Sequence, residues 1–154
     1  MQVFIPYPEP IEVAKCLDKR RLNKQIIEGH QILAAAKGET KAWANHPVTK
    51  MYKNHTEWLR FYLYCLEFYK NGRTDVAKKF SAQADKIRPT WMTDAICNAH
   101  KRRLVAKDPE FYKDFCIYGI SEINYYIIDN VVWGYARGQN RFSTTLEEFN
   151  NGKA

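Results

Sequence analysis

With 154 residues, the chain has the length of one ordinary domain and can bury a continuous core. Its 45% hydrophobic and 14% aromatic content, with only 7 Gly and 6 Pro, excludes a disordered or collagen-like protein. A net charge of +7 favours a polyanionic partner, such as a nucleic acid or a nucleotide, although a merely soluble basic surface stays equally open.

The sequence predicts neither a membrane segment nor a metal site. No stretch approaches the roughly 20 apolar residues that span a bilayer, and "MQVFIPYPEP" lacks the features of a signal peptide. We therefore expect a soluble, cytoplasmic protein without membrane contact. The cysteines are widely spaced and form no CxxC pair, which predicts free, buried thiols and no bound metal or cofactor.

Pattern and turn residues predict the elements in order. Pro6 and Pro8 favour an extended N-terminal segment. A helix is predicted from about residue 11 to residue 37, with Gly38 as its terminator. Its core face is predicted at positions with helical spacing, namely Leu22, Ile26, Gly29 and Leu33. Glu28 projects away from that face, among basic and amide side chains.

The rest of the chain also has mainly helical patterns. A second helix is predicted over residues 47–71, a third from a Thr74 cap to about residue 87, and a fourth from a Thr93 cap to about residue 105. A short fifth helix is predicted at Pro109. Residues 117–132 are rich in β-formers and aromatics, which leaves a strand and a buried helix both open. The final residues, 143–154, are predicted to be a polar tail.

Four segments together resemble the pyrimidine-dimer DNA glycosylase family, which comprises the phage-type endonuclease V enzymes and their bacterial relatives. The segments are, in order, "LDKRRLNKQIIEGHQIL", "NHPVTKMY", "RPTWM" and "HKRRLVAKDPEFY". The resemblance covers about residues 1–115. It implies an all-α fold, here a compact single-domain helical bundle of residues 1–142 with an extended N-terminal segment. It also implies cleavage of the N-glycosidic bond of a damaged base, without a cofactor.

The resemblance implies that Glu28 is the catalytic carboxylate, because it follows Leu22 at the spacing of the family's essential glutamate. A fixed carboxylate stabilises the positive charge that develops on the sugar ring as a glycosidic bond breaks. The alternative is a surface ion pair between Glu28 and Lys24, one helical turn earlier. In the family, the N-terminal amine attacks the sugar and promotes strand cleavage through a Schiff base, which points to Met1.

The chain departs from the family pattern at three positions. Gln2 stands where the family enzymes that also act as lyases have a small residue, so the initiator methionine is expected to remain. Ile27 and Gln31 stand where the phage enzyme has arginines. A glycosidase that uses water, with Glu28 as the base, is therefore an alternative to attack by Met1.

Further residues are candidates for proton transfer or substrate binding. His46 and His100 are each a candidate proton donor to the leaving base or a candidate phosphate contact, while capping or packing roles stay open for both. Basic residues are expected to bind phosphates, amides to contact a base edge, and Arg88 with Trp91 to pair a phosphate contact with a stacking ring. The full set of substrate-binding candidates is Tyr7, Arg20, Arg21, Lys24, Gln25, Gln31, His46, Lys50, Arg88, Trp91 and Arg102.

The leading hypothesis is therefore an N-glycosidase that acts on damaged DNA, as a monomer or a homodimer. One alternative keeps the chemistry but changes the substrate to a small nucleotide immune signal, such as a cyclic dinucleotide. Another is a sponge that binds such a nucleotide without cleaving it. A purely structural DNA-binding protein is the remaining alternative.

Overall fold

The computed structural model describes residues 1–152, so the last two residues of the predicted tail lie outside the described residues. The chain forms two compact units, one from Met1 to Pro89 and one that begins at Thr90. The predicted boundary between a domain of residues 1–142 and a tail stays a prediction. Within residues 1–152, none of the helices combines the length and the apolar character that a bilayer crossing requires.

The first unit consists of five helices that follow an N-terminal segment without helix or strand. They are α1 (Pro10–Cys16), α2 (Lys19–Ala36), α3 (Pro47–Tyr52), α4 (Thr56–Lys70) and α5 (Thr74–Lys86). Helix α4 packs against α1, α2 and α5. Its Trp58 and Tyr62 are fully buried, with their rings stacked at 5.1 Å between centroids. The apolar stripe of α4 is therefore the core of this unit.

Two of the predicted helices are interrupted. The single helix predicted from residue 11 to residue 37 is wrong, because Leu17 is extended and separates α1 from α2. Asp18 starts α2 by accepting a hydrogen bond from the backbone N–H of Arg21 at 3.3 Å. Such an N-cap side chain satisfies a donor at the start of a helix, so Asp18 was the available sequence signal. The helix predicted over residues 47–71 is likewise divided into α3 and α4.

The second unit combines helices with a small sheet. It contains α6 (Asp94–Lys107), a 3-10 helix (Lys113–Tyr118), β1 (Asn124–Ile128), β2 (Val131–Ala136), β3 (Gln139–Thr145) and α7 (Leu146–Asn150). The predicted Thr93 cap is confirmed, since its hydroxyl accepts from the backbone N–H of Ile96. The helix predicted at Pro109 is wrong, because the 3-10 helix begins only at Lys113.

The predicted all-α fold is wrong, because β1, β2 and β3 form an antiparallel sheet in that order. Two-residue turns at 129–130 and 137–138 connect the strands, and all four residues have a positive φ between 52° and 75°. Turns of this kind match the twist of antiparallel strands. The ambiguous segment of residues 117–132 contains the end of the 3-10 helix, all of β1 and the first two residues of β2, so its strand alternative is confirmed for β1 and the start of β2. The predicted polar tail contains α7, which buries Phe149. All four cysteines are free, but only Cys65 and Cys97 are buried, whereas Cys16 is half-buried and Cys116 is exposed.

Gly29 allows α2 to approach α4 closely. A Cβ atom at Gly29 would lie 2.3 Å from Cδ2 of Leu63, which is far inside van der Waals contact. Leu63 is fully buried and has little room to move. The contact between the two helices therefore lies directly beside Glu28 and fixes the backbone that carries it.

We expect Gly29→Ala to lower the free energy of unfolding by roughly 1–3 kcal/mol, because the added methyl group overpacks the α2–α4 contact. Urea denaturation measures this change. Combined with Leu63→Ala, the same substitution should cost less than it does alone, because the truncated side chain makes room for the methyl group. A stabilisation of about 1 kcal/mol in the single variant, the gain from helix propensity alone, would contradict the close contact.

Candidate functional site

The buried amide of Gln25 holds the N-terminal segment against α2. Its Nε2 donates to the carbonyl oxygen of Gln2 at 3.0 Å, and the backbone N–H of Phe4 donates to its Oε1 at 2.7 Å. Gln25 is only 2% exposed, so water does not replace these bonds. A buried polar group that loses its partner costs about 1–3 kcal/mol. The two bonds therefore fix the path of the segment along the helix.

Helix α4 fastens the same segment from another side. The hydroxyl of Tyr62 donates to the carbonyl oxygen of Phe4 at 2.7 Å. Burial raises the pKa of Tyr62 well above its ordinary value, so the hydroxyl stays protonated and remains a donor. Val3 and Ile5 are fully buried beside it. The first residues of the chain are thus part of the core.

Glu28 lies one helical turn after Gln25, and residues with this spacing are neighbours on a helix surface. Its side chain is 23% exposed and forms an ion pair of 3.7 Å with Lys24, which is 64% exposed. The surface pair considered in the sequence is therefore present. An ion pair with so exposed a lysine contributes about 0–1 kcal/mol, so it does not by itself account for a largely shielded carboxylate.

The Glu28 side of α2 is basic and polar. Arg20, Lys24, Glu28 and Gln31 lie within an arc of about 80° if each residue turns the helix by about 100°. The other three members of this face are exposed. Arg21 lies at its edge and pairs with Asp18 at 3.2 Å. The structure thus brings the α2 candidates together around the carboxylate.

His46 caps α3 and is neutral at neutral pH. Its Nδ1 accepts a hydrogen bond from the backbone N–H of Val48 at 3.1 Å. Burial lowers the pKa of His46, and the positive charge of the Met1 amine lowers this pKa further. A neutral ring with Nδ1 as acceptor carries its hydrogen on Nε2. At neutral pH, His46 is therefore a hydrogen-bond donor rather than an acid.

Two candidates of the first unit have structural partners. Gln25, predicted to contact a base, positions the N-terminal segment instead. Arg88, predicted to bind phosphate, pairs with Asp85 at 2.8 Å and with Glu9 at 3.3 Å, so two carboxylates offset its charge. Lys50 is exposed on α3 and Tyr7 is half-buried in the N-terminal segment, where each remains a candidate for substrate contact.

The remaining candidates belong to the second unit. His100 is 1% exposed, and burial, followed by the charge of Arg102, lowers the pKa of His100 to about 3. It is therefore neutral at pH 7, which does not suit the predicted role of proton donor. Trp91 is buried, which does not suit a stacking surface, while Arg102 is half-buried.

The second unit also contains an open groove of about 720 Å³ between the β1–β2 turn and α7. Its lining includes the carboxylates of Asp129 and Glu147 but no basic side chain. Such a lining repels phosphate, so the groove does not suit a nucleotide.

Across residues 1–152, no group of three metal-ligating side chains converges.

Sequence reasoning missed the structural role of Gln25 and the exposure of Trp43. Helical spacing alone placed Gln25 near the core face, since Leu22 and Gly29 lie three residues before it and four residues after it. A long polar side chain at such a position needs a buried partner, which was the available signal. Trp43, in the loop before His46, is 47% exposed, and nothing in its local sequence indicated this.

Comparison with known proteins gives one family match, which lies within the first unit. Residues 1–67 match the family model described as pyrimidine dimer DNA glycosylase. The matched region contains Gln25, Glu28 and His46, and it ends within α4. No curated protein and no solved structure matches the chain significantly. The family resemblance seen in the sequence is thereby confirmed over this part of the chain.

We expect Gln25→Ala to release the N-terminal segment, because the carbonyl of Gln2 and the N–H of Phe4 lose their partners. The free energy of unfolding should fall by roughly 2–4 kcal/mol, and amide hydrogen exchange at Phe4 should accelerate. Gln31→Ala is the matched control, since it removes an exposed amide from the same helix. Equal exchange at Phe4 in both variants would contradict the anchoring role.

Proposed function

We propose that the chain cleaves the N-glycosidic bond of a damaged base in duplex DNA with Glu28 as the catalytic carboxylate, because residues 1–67 match the family model described as pyrimidine dimer DNA glycosylase. The observation that carries this proposal is the position of Glu28. The carboxylate is shielded, lies on a basic helix face and neighbours the residue that anchors the N-terminal segment. A shielded carboxylate among basic side chains suits a reaction in which positive charge develops on a sugar beside phosphates.

In the proposed reaction, the bond between C1′ of the sugar and the base nitrogen breaks, and the nitrogen keeps the electron pair and takes up a proton, while a base in a pyrimidine dimer stays joined to its neighbour. The sugar passes through an oxocarbenium-like state, which the negative charge of Glu28 stabilises. A nucleophile then forms the new bond to C1′. Since Glu28 sits in a largely shielded position, its interaction with that charge is stronger than it would be in bulk water.

The proposed nucleophile is the amine of Met1. An α-amine has an ordinary pKa near 8, so a fraction is unprotonated at neutral pH. The anchored segment holds Met1 one residue from the Gln25 contact, and the charge of the amine reaches His46. Attack by this amine yields an imine with the opened sugar, from which a strand break follows by β-elimination. Water activated by Glu28 is the alternative, and it leaves an abasic site with an intact strand.

The surrounding side chains are proposed to bind the DNA. Arg20 and Lys24 on α2, and Lys50 on α3, are exposed cations suited to phosphate contacts. The Nε2–H of His46 is a donor for a phosphate or base oxygen. Gln31, exposed on the Glu28 face, has both a donor and an acceptor for a base edge. Together they supply the polyanion contacts that a net charge of +7 favours.

We expect Glu28→Gln to lower the single-turnover rate of glycosidic-bond cleavage in ultraviolet-irradiated duplex DNA by roughly 100-fold or more, because the neutral amide no longer stabilises the developing charge. Mass spectrometry of the products measures the rate, and circular dichroism checks the fold. Lys24→Met is the decisive control. It removes the ion pair but leaves the carboxylate, so the rate at saturating protein should stay within a few-fold of wild type.

Equal rate losses in Glu28→Gln and Lys24→Met would contradict the catalytic role and favour the surface ion pair. Borohydride added in parallel reduces an imine to a stable amine, so a covalent adduct mapped to Met1 identifies the nucleophile, and its absence during base release favours water. A panel of cyclic dinucleotides, run beside the DNA, tests the predicted small-nucleotide and sponge alternatives. Release of a base from the panel, but not from DNA, would overturn the proposed substrate.

A further inference from the structure

Trp43 is the exposed tryptophan of the first unit. It is 47% exposed, whereas Trp58, the other indole of this unit, is 1% exposed. Burying an indole is favourable, because it is the largest apolar side chain. A ring that stays half outside a well-packed unit leaves one surface available for a ligand.

The backbone holds Trp43 in an unfavourable conformation. Its φ of 64° lies in the left-handed region, which bulky residues rarely adopt. Turns on both sides impose this geometry, since Ala44 N–H donates to the carbonyl of Lys41 at 3.2 Å and His46 N–H donates to the carbonyl of Trp43 at 3.0 Å. Backbone strain of this kind is concentrated at functional sites. A glycine would fit the turn without strain, so the turn itself does not require a tryptophan.

The ring contacts His46, one of the candidate substrate contacts. Its centroid is 5.7 Å from that of His46, and the two rings meet edge to face at 74°. His46 in turn lies within electrostatic reach of the Met1 amine. Exposed lysines flank the ring in the chain, at Lys41 and Lys50. An exposed indole with exposed lysines nearby in the chain suits a base attached to a phosphate backbone, because the ring can stack on the base and the lysines can contact the phosphates.

We propose that Trp43 stacks on a nucleobase of the DNA bound at the Glu28 site, an inference that rests on the proposed function. Stacking on an aromatic ring is tolerant of sequence, because every base has a π-face. It also compensates for stacking that the duplex loses when a damaged nucleotide is displaced. Trp43 is thus a substrate-binding residue that leaves bond cleavage to Glu28.

The test uses a duplex that contains a tetrahydrofuran abasic analogue, which has no base to release and cannot form an imine. 2-Aminopurine next to the analogue reports stacking through quenching of its fluorescence, and anisotropy measures Kd. Trp43→Ala should raise Kd by about 5- to 150-fold and abolish the quenching. Trp43→Phe should lose less, because it retains a ring. Ile87→Ala, which truncates an apolar side chain of similar exposure in the same unit, should bind as wild type does.

Trp43→Gly separates binding from folding. It removes the ring at a backbone position that favours glycine, so it should keep the melting temperature of the wild type while it binds as weakly as Trp43→Ala. A Kd within twofold of wild type and unchanged quenching in the Ala and Gly variants would overturn the stacking role. If Glu28-dependent base release persists in that case, the proposed function stands. If the wild type neither binds the probe nor releases a base, both proposals fall.

Discussion

The pairing of the Gln25 amide inside the first unit is the interaction on which the candidate site depends. A buried amide needs partners for its donor and its acceptor, and here the N-terminal segment supplies both. The carbonyl of Gln2 and the backbone N–H of Phe4 also need partners, and the Gln25 amide supplies both. It places the start of the chain beside the helix that carries Glu28, one turn further along.

Close packing makes this arrangement rigid. The contact between α2 and α4 at Gly29 fixes the backbone of α2 at the residue after Glu28. The hydroxyl of Tyr62 joins the N-terminal segment to the same helix, α4. Groups held by helices and buried bonds need little reorganisation when a substrate binds, and this is the main requirement for stabilising a developing charge. The loop that carries Trp43 differs from these well-packed parts, since it holds a bulky, exposed ring in a strained turn.

The candidate site follows from local sequence features more directly than the fold does. Glu28 and the basic face of α2 follow from helical spacing and the family resemblance, because both are local features of one helix. The anchoring role of Gln25 does not, since its partner Gln2 lies 23 residues away in sequence. Nor does the burial of His100, because the charge pattern of α6 does not show which side faces the core of the second unit.

The sheet was missed for a related reason. Aromatic and β-branched residues over 124–135 suit a strand and a buried helix alike, and only the pairing of β1 with β2 and β3 decides between them. The two-residue turns at 129–130 and 137–138 were the local signal that favoured hairpins. The break between α1 and α2 was missed as well, because the apolar pattern continues across it and Asp18 is the one local sign that a new helix begins.

The most direct test is a crystal structure of the Glu28→Gln variant bound to duplex DNA that contains a pyrimidine dimer. If the anchored segment and α2 form one active site, C1′ of the damaged nucleotide should lie about 3–4 Å from the Met1 amine or from a water held by the side chain at position 28. A dimer bound with its sugar beyond hydrogen-bond reach of both groups would contradict the assignment of Glu28 as the catalytic carboxylate.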